Sequence, residues 1–229
     1  MKQILALIIL FQLSLISNAQ SYIGISASVN SSGYTLATSD ASLAYNNVIG
    51  WSVGVPVEIY LSEKFNLASG LKYASKGSTL ISVTIDNVDY EPKAQVNYFE
   101  LPFLLKGKFG DKKIQFNPIG GFSLGFGMSG IVEELNFDNG NRNIVERDID
   151  FENDINSFLC QLHLGVGATI HLPKGALSFD FQYLKGINNL LNTSGFQDDY
   201  SVTANGFEFT AGYLFKIGKD KSKAAPLKQ

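Results

Sequence analysis

Between Ile49 and Leu61 every odd-numbered residue is apolar, while the positions between them are Gly50, Ser52, Gly54, Pro56, Glu58 and Tyr60. A period of two puts one kind of side chain on each face of an extended chain. The pattern therefore predicts a strand with one greasy face and one small or polar face. Seven other segments carry the same rhythm. Ser21 to Asn30 sets Ile23, Ile25, Ala27 and Val29 against Gly24, Ser26, Ser28 and Asn30, and Leu67 to Gly77 sets Leu67, Leu71 and Tyr73 against Ala68, Gly70, Lys72 and Lys76. Val96 to Phe109 opposes Phe99, Leu101, Phe103 and Leu105 to Glu100, Pro102, Leu104 and Lys106.

The fifth segment, Ile114 to Met128, opposes Phe116, Phe122, Leu124 and Phe126 to Gln115, Asn117, Ser123 and Gly125. Pro118 within it has no N–H to give a ladder, so a bulge or local break is expected there. Ser157 to Leu172 is the longest clean alternation, with Phe158, Cys160, Leu162, Leu164 and Val166 facing away from Gln161, His163, Gly165 and Gly167. A seventh strand runs Leu177, Phe179, Phe181, Tyr183 against Ser178, Asp180, Gln182, and the eighth runs from Phe207 to Ile217 with Glu208, Thr210 and Lys216 on its polar side.

Connectors alternate in length. Long ones at about 30–47, 78–95, 129–156 and 187–203 separate short turns such as Gly110-Asp111-Lys112-Lys113 and Pro173-Lys174-Gly175. Short turns on one side and long loops on the other are the arrangement of an outer-membrane barrel, here with eight strands and both termini in the periplasm. The polar faces decide between lipid and water outside. A water-soluble barrel of this kind meets solvent with its polar positions, which are then studded with free Lys and Glu. Here those positions are mostly Gly, Ser, Thr, Asn and Gln. The expectation is an all-β, eight-stranded, antiparallel up-and-down transmembrane barrel with lipid outside and a polar lumen.

The charges predicted to face that lumen are Glu58, Lys72, Lys76, Glu100, Lys106, Lys108, Asp180, Glu208 and Lys216, with His163 and Gln182 beside them. Five are basic and four acidic, so confined charges find partners. Eight strands leave room for little more than their own side chains, so the interior is expected to be plugged. Aromatics are expected in two interfacial belts. Trp51, Phe99, Phe126, Phe158, Tyr183 and Phe207 lie near the loop ends, and Phe65, Phe109, Phe116, Phe179, Tyr213 and Phe215 near the turn ends.

Composition narrows the picture further. The chain has 229 residues, 17% charged and 12% aromatic, with 22 glycines, and its pI of about 5.4 argues against nucleic acid, which needs a basic patch. Lys2, the apolar run Ile4 to Ile16 and Ser17-Asn18-Ala19 read as a signal peptide over 1–19, cut after Ala19. The barrel domain is then expected over 20–218 and a basic tail over 219–229. Past the signal no apolar run reaches the length of a membrane helix. The single cysteine, Cys160, permits no internal disulfide and reads as a small hydrophobe on the apolar face.

Candidate chemistry is sparse. His163, Asp180 and Ser178 have the residue types of a hydrolytic triad, but their heights along the strands separate His163 from Ser178. The acidic connector holds Asp148, Asp150, Glu152 and Asp154, hard oxygen ligands suited to Ca²⁺, without the spacing of a calcium loop. There is no phosphate-binding glycine loop and no zinc spacing, and no cofactor is expected.

Several stretches resemble the PorT-like outer-membrane β-barrel family of the Bacteroidota. They are Gly70-Leu71-Lys72-Tyr73-Ala74-Ser75-Lys76-Gly77, Asn97-Tyr98-Phe99-Glu100-Leu101-Pro102-Phe103-Leu104-Leu105-Lys106, Asn117-Pro118-Ile119-Gly120-Gly121-Phe122-Ser123-Leu124-Gly125, Leu164-Gly165-Val166-Gly167-Ala168, Phe181-Gln182-Tyr183-Leu184-Lys185-Gly186-Ile187-Asn188-Asn189 and Gly212-Tyr213-Leu214-Phe215-Lys216. Gln182 stands where that family often has arginine. The resemblance implies an outer-membrane barrel, similar in architecture to OmpA and OmpX. The function expected is a non-catalytic scaffold whose extracellular loops provide recognition, with membrane lipid as its surroundings. The alternatives are an accessory subunit of a type IX-like secretion machine with periplasmic protein partners, a narrow channel, or a membrane-embedded enzyme.

Overall fold

In the computed structural model the alternating segments are strands, and their pairing closes into a ring. The structure describes residues 21–37, 42–44, 46–79, 83–85, 88–90, 92–111, 113–138, 141–151, 155–190 and 201–217. The expected signal peptide and basic tail lie outside these residues, as do Glu152 and Asp154. Eight staves form the wall: β1 (Ser21–Ala37), β2 (Val48–Tyr60), β3 (Phe65–Thr79), β4 (Lys93–Gly107), β5 (Ile114–Asp138), β6 (Phe158–Leu172), β7 (Gly175–Gly186) and β8 (Ser201–Ile217). Each pairs antiparallel with its chain neighbours, β8 pairs with β1, and the order is that of an up-and-down barrel. Among the described residues no helix is long and apolar enough to cross a membrane.

The stagger of the ring follows from the register. The paired path Glu100, Lys72, Gly54, Ser26, Gly212, Ser178, Thr169, Gln115 goes once round and arrives at Gly110, ten residues further along the chain, in the two-residue strand Phe109–Gly110 that follows β4. With a rise of about 3.3 Å per residue and a spacing of about 4.8 Å between strands, this gives a tilt of about 40° and a backbone radius of about 8 Å. That interior is filled by side chains. Leu164 on the outer face is 71% exposed, whereas its neighbour His163 is 4% exposed.

Short turns close one end. Between β2 and β3 the Ser62 hydroxyl accepts the Lys64 and Phe65 amides at 3.3 and 3.1 Å, and Leu172 pairs directly with Gly175 between β6 and β7. The other end differs from the expectation of four long loops. β1 runs on to Ala37 and pairs with a short strand, Ser42–Ala44, and β5 runs on to Asp138 and pairs with Asn141–Asp148. A hairpin of Val83–Ile85 with Val88–Tyr90 occupies part of the β3–β4 connector.

One local expectation holds and one is corrected. On its β6 side Pro118 pairs with Val166. On the other side the ladder lapses beside it, as its missing N–H implies, between Lys106–Ile119 and Phe109–Phe116, and the Asn117 amide group supplies the Gly107 carbonyl with a hydrogen bond of 2.8 Å. A second irregularity falls at Asn97/Tyr98, where the register with β5 shifts. Strand four ends at Gly107 rather than Phe109, because the Lys108 amide turns to the Lys64 carbonyl at 2.9 Å.

Candidate functional site

Charge gathers in the lumen. From β3, Lys72 reaches Glu100 of β4 and Glu208 of β8, each at 2.9 Å, and Lys76 bonds Glu100 and, at 2.5 Å, Gln161 of β6. A second cluster lies nearer the turns. There Lys106 of β4 holds Glu58 of β2 at 2.8 Å and Asp180 of β7 at 2.7 Å. The strands bring these residues together because each stands at an inward position of its own alternation, and the stagger aligns different chain depths at one height. Three lysines meet four carboxylates, all on rigid strands.

Lys108 stands apart from these clusters. The Lys108 ammonium lies 4.4 Å from the centre of the Tyr60 ring and donates to the Ser62 carbonyl at 2.7 Å, which places it at the mouth formed by the turns. Lys216 is half-buried on β8.

His163 has different partners from those a triad with Asp180 and Ser178 requires. Its Nδ1 lies 2.9 Å from Gln182 Oε1 and its Nε2 lies 2.8 Å from Ser123 Oγ. An amide oxygen only accepts, so Nδ1 carries the proton and Nε2 is free to accept from the Ser123 hydroxyl. Ser178 instead neighbours Asp180 and Lys106, at 3.4 Å from each. Ser123 is a partner that strand-height counting along β6 and β7 alone does not reveal. The signal was there in the inward parity of β5, whose Ser123 pairs with Gln161 two residues from His163.

A cavity of about 80 Å³ lies between the two ion-pair clusters, touched by Lys72, Lys106, His163, Asp180, Gln182 and Glu208. Its size suits a few waters. Gly54, Pro56, Gly70 and Pro102 form part of its wall. Above the charged layers the lumen turns apolar. Val96, Tyr98, Leu159, Leu190 and Ala204 are buried together, and Tyr34, Ile149, Phe151, Ile155 and Val202 pack against them. This cap departs from an interior read as polar throughout. It is built partly by Ile149, Phe151 and Ile155, apolar residues in a part of the sequence whose charges read as a solvated loop.

The outer face carries the aromatics. Tyr73, Phe99, Phe126 and Phe158 are directly paired in sequence across β3 to β6, and Trp51 contacts Tyr73 with ring centres 5.9 Å apart. Tyr183 and Phe207 continue the row at 5.2 Å. Towards the turns, Phe109, Phe116, Phe179 and Phe215 are exposed, and Tyr213 stacks edge-on with Phe215 at 4.8 Å. Cys160 is half-buried among the outward positions of β6.

Among the described residues no group of three or more His, Cys, Asp or Glu side chains is placed to hold a metal ion. Asp148 and Asp150 of the acidic connector are exposed.

A comparison with curated proteins finds no match. Among solved structures, the chain is similar to the outer membrane protein OprG of Pseudomonas aeruginosa, with 10% identity over 88% of this chain and 97% of that one and a TM-score of 0.49. It is similar also to Ail of Yersinia pestis (12% identity, 86% and 99% covered, TM-score 0.38) and to the outer membrane protease OmpT of Escherichia coli (8%, 88% and 97%, 0.43). The family model described as an outer membrane protein beta-barrel domain matches residues 18–192. With that match and a closed eight-strand ring, the chain belongs to the outer-membrane β-barrel domain family.

Proposed function

We propose that the protein is exported, sits in the outer membrane as a sealed, non-catalytic barrel, and uses the long end of its staves for recognition outside the cell. The observation that carries this reading is the filled lumen. Among the described residues, two ion-paired layers under an apolar cap fill the lumen around a cavity of about 80 Å³. The short turns at one end and the hairpin of β5 with Asn141–Asp148 at the other support periplasmic termini and an external recognition surface. The PorT-like stretches, above all Tyr98 to Pro102, support an origin in that family. His163 supports the absence of catalysis, since its serine partner Ser123 is 1% exposed and does not line the cavity.

Planar-bilayer recording of the full mature chain tests the sealed lumen. No steady conductance is expected from the wild type, and a steady ion current abolished or altered by Glu100→Ala would overturn the proposal in favour of a channel. A place beside a secretion machine would show as secretion components that co-purify after mild detergent extraction; the sealed anchor is expected to bring none.

A further inference from the structure

On the outer wall, β5, β6 and β7 bound a groove of about 550 Å³ whose sides are Phe122, Leu162, Leu164 and Tyr183, with Lys185 at its rim. The register explains the shape. Phe122, Leu162 and Lys185 are directly paired across the three strands, and Leu164 pairs with Tyr183 in the next outward row. In that row the β5 position opposite Leu164 is Gly120, which has no side chain to fill the space.

Lys185 is unlike its surroundings. The outward positions of β6, β7 and β8 are otherwise uncharged, running Phe158 to Leu172, Leu177 to Tyr183 and Phe207 to Ile217 in alternate residues. Every lysine of the lumen clusters has a carboxylate partner, whereas among the described residues none lies at ion-pairing distance from the exposed Lys185. It stands two residues beyond Tyr183, a member of the aromatic row at the loop ends. A lysine at that depth lays its aliphatic stem along the apolar wall and delivers its ammonium to the headgroup layer. A groove in hydrocarbon with one unpaired cation at its polar end complements a molecule with the reverse layout, an alkyl chain ending in an anion.

We propose that this groove is a binding site for a phosphorylated glycolipid of the outer leaflet, one acyl chain lying between Leu162, Leu164 and Tyr183 and a phosphate held by Lys185. The choice of leaflet rests on the orientation proposed above, in which the loop ends face out. The chain and the phosphate do not depend on it. Lys185 is exposed and makes no contact that holds the barrel, so its substitution leaves the fold intact.

Native mass spectrometry of the detergent-solubilised full-length protein tests the site with diphosphorylated lipid A, dephosphorylated lipid A and phosphatidylglycerol as probes. The wild type is expected to retain one diphosphorylated lipid A. Lys185→Gln, or removal of the phosphates, is expected to weaken retention at least about tenfold, with Lys185→Arg restoring it. Leu164→Ala should weaken both lipid A forms alike. Equal retention by wild type and Lys185→Gln would overturn the site. Retention of phosphatidylglycerol equal to that of lipid A, with the same dependence on Lys185, would overturn the outer-leaflet assignment while leaving the barrel reading untouched. Resistance of each variant to unfolding in unheated detergent gels confirms that the barrel is intact.

Discussion

Gly70 pairs with Pro56 of the neighbouring strand and holds φ at +139°, in the interval between Ala68 and Lys72 where the β3–β4 ladder lapses. The opposite stretch of β4, between Glu100 and Leu104, contains Pro102. Two residues without N–H groups thus flank a glycine at mid-wall, where hydrocarbon cannot satisfy orphaned backbone groups. Pro56, Gly70 and Pro102 line the cavity described above, a space of a size for the water that would hydrate this seam.

A β-carbon on Gly70 would stand 2.3 Å from the Val55 carbonyl oxygen, in a backbone region that L-residues avoid. Gly70→Ala is therefore expected to destabilise the barrel by about 2 kcal/mol, read as a lower urea midpoint for unfolding from lipid vesicles. An unchanged midpoint would mean that the seam relaxes freely.

Lys106 is the only cation bonded to both Glu58 and Asp180 among the described residues. Lys106→Ala leaves two buried carboxylates facing each other and is expected to cost about 3–5 kcal/mol. The triple change Glu58→Gln, Lys106→Met, Asp180→Asn removes the charges together and should recover most of that loss in the same unfolding assay. Equal damage from the single and triple variants would show that packing, not charge, dominates there.

The apolar cap depends on a close fit. A β-carbon on Gly127 would lie 2.5 Å from the Phe151 ring, so only glycine admits that ring. Phe151→Ala should loosen the cap over Ala204. In a Cys160→Ser, Ala204→Cys background, it is expected to raise the labelling rate by a water-soluble maleimide by roughly tenfold, the factor that a local opening easier by about 1.4 kcal/mol gives. No change in rate would place the seal elsewhere.

The Ser123, His163 and Gln182 chain has the order of a nucleophile, a base and an orienting group, at 2.8 and 2.9 Å. Buried access makes it a structural plug in this account. A fluorophosphonate probe is expected to leave the folded protein unlabelled, and stoichiometric labelling lost in Ser123→Ala would establish a hydrolase instead.

The alternation from Ile49 onwards carried the strand count and the inward or outward side of most wall residues, because a period of two is fixed by backbone geometry alone. What it did not carry was height. Which inward residues meet depends on the ten-residue stagger, a property of ring closure, so the partnership of Lys72 with Glu208 and of His163 with Ser123 emerges only from the pairing. The break at Pro118 was legible because the rule concerns a missing donor; what was not legible is that the Asn117 side chain donates to the Gly107 carbonyl there. The strand extensions beyond Asn30 and Met128 were obscured because Ser31-Ser32-Gly33 and Ser129-Gly130-Ile131-Val132 keep no alternation of apolar and polar positions.

The central claim is that hydrocarbon bathes the outward row while the lumen is closed. Trp51 is the sole tryptophan, outward on β2 and 49% exposed, so its fluorescence reports that row without any substitution. In vesicles of lipids brominated along their chains, Trp51 emission is predicted to be strongly quenched while aqueous iodide leaves it nearly unchanged. Quenching by iodide but not by brominated lipid, from a chain that stays dissolved without detergent, would contradict the account.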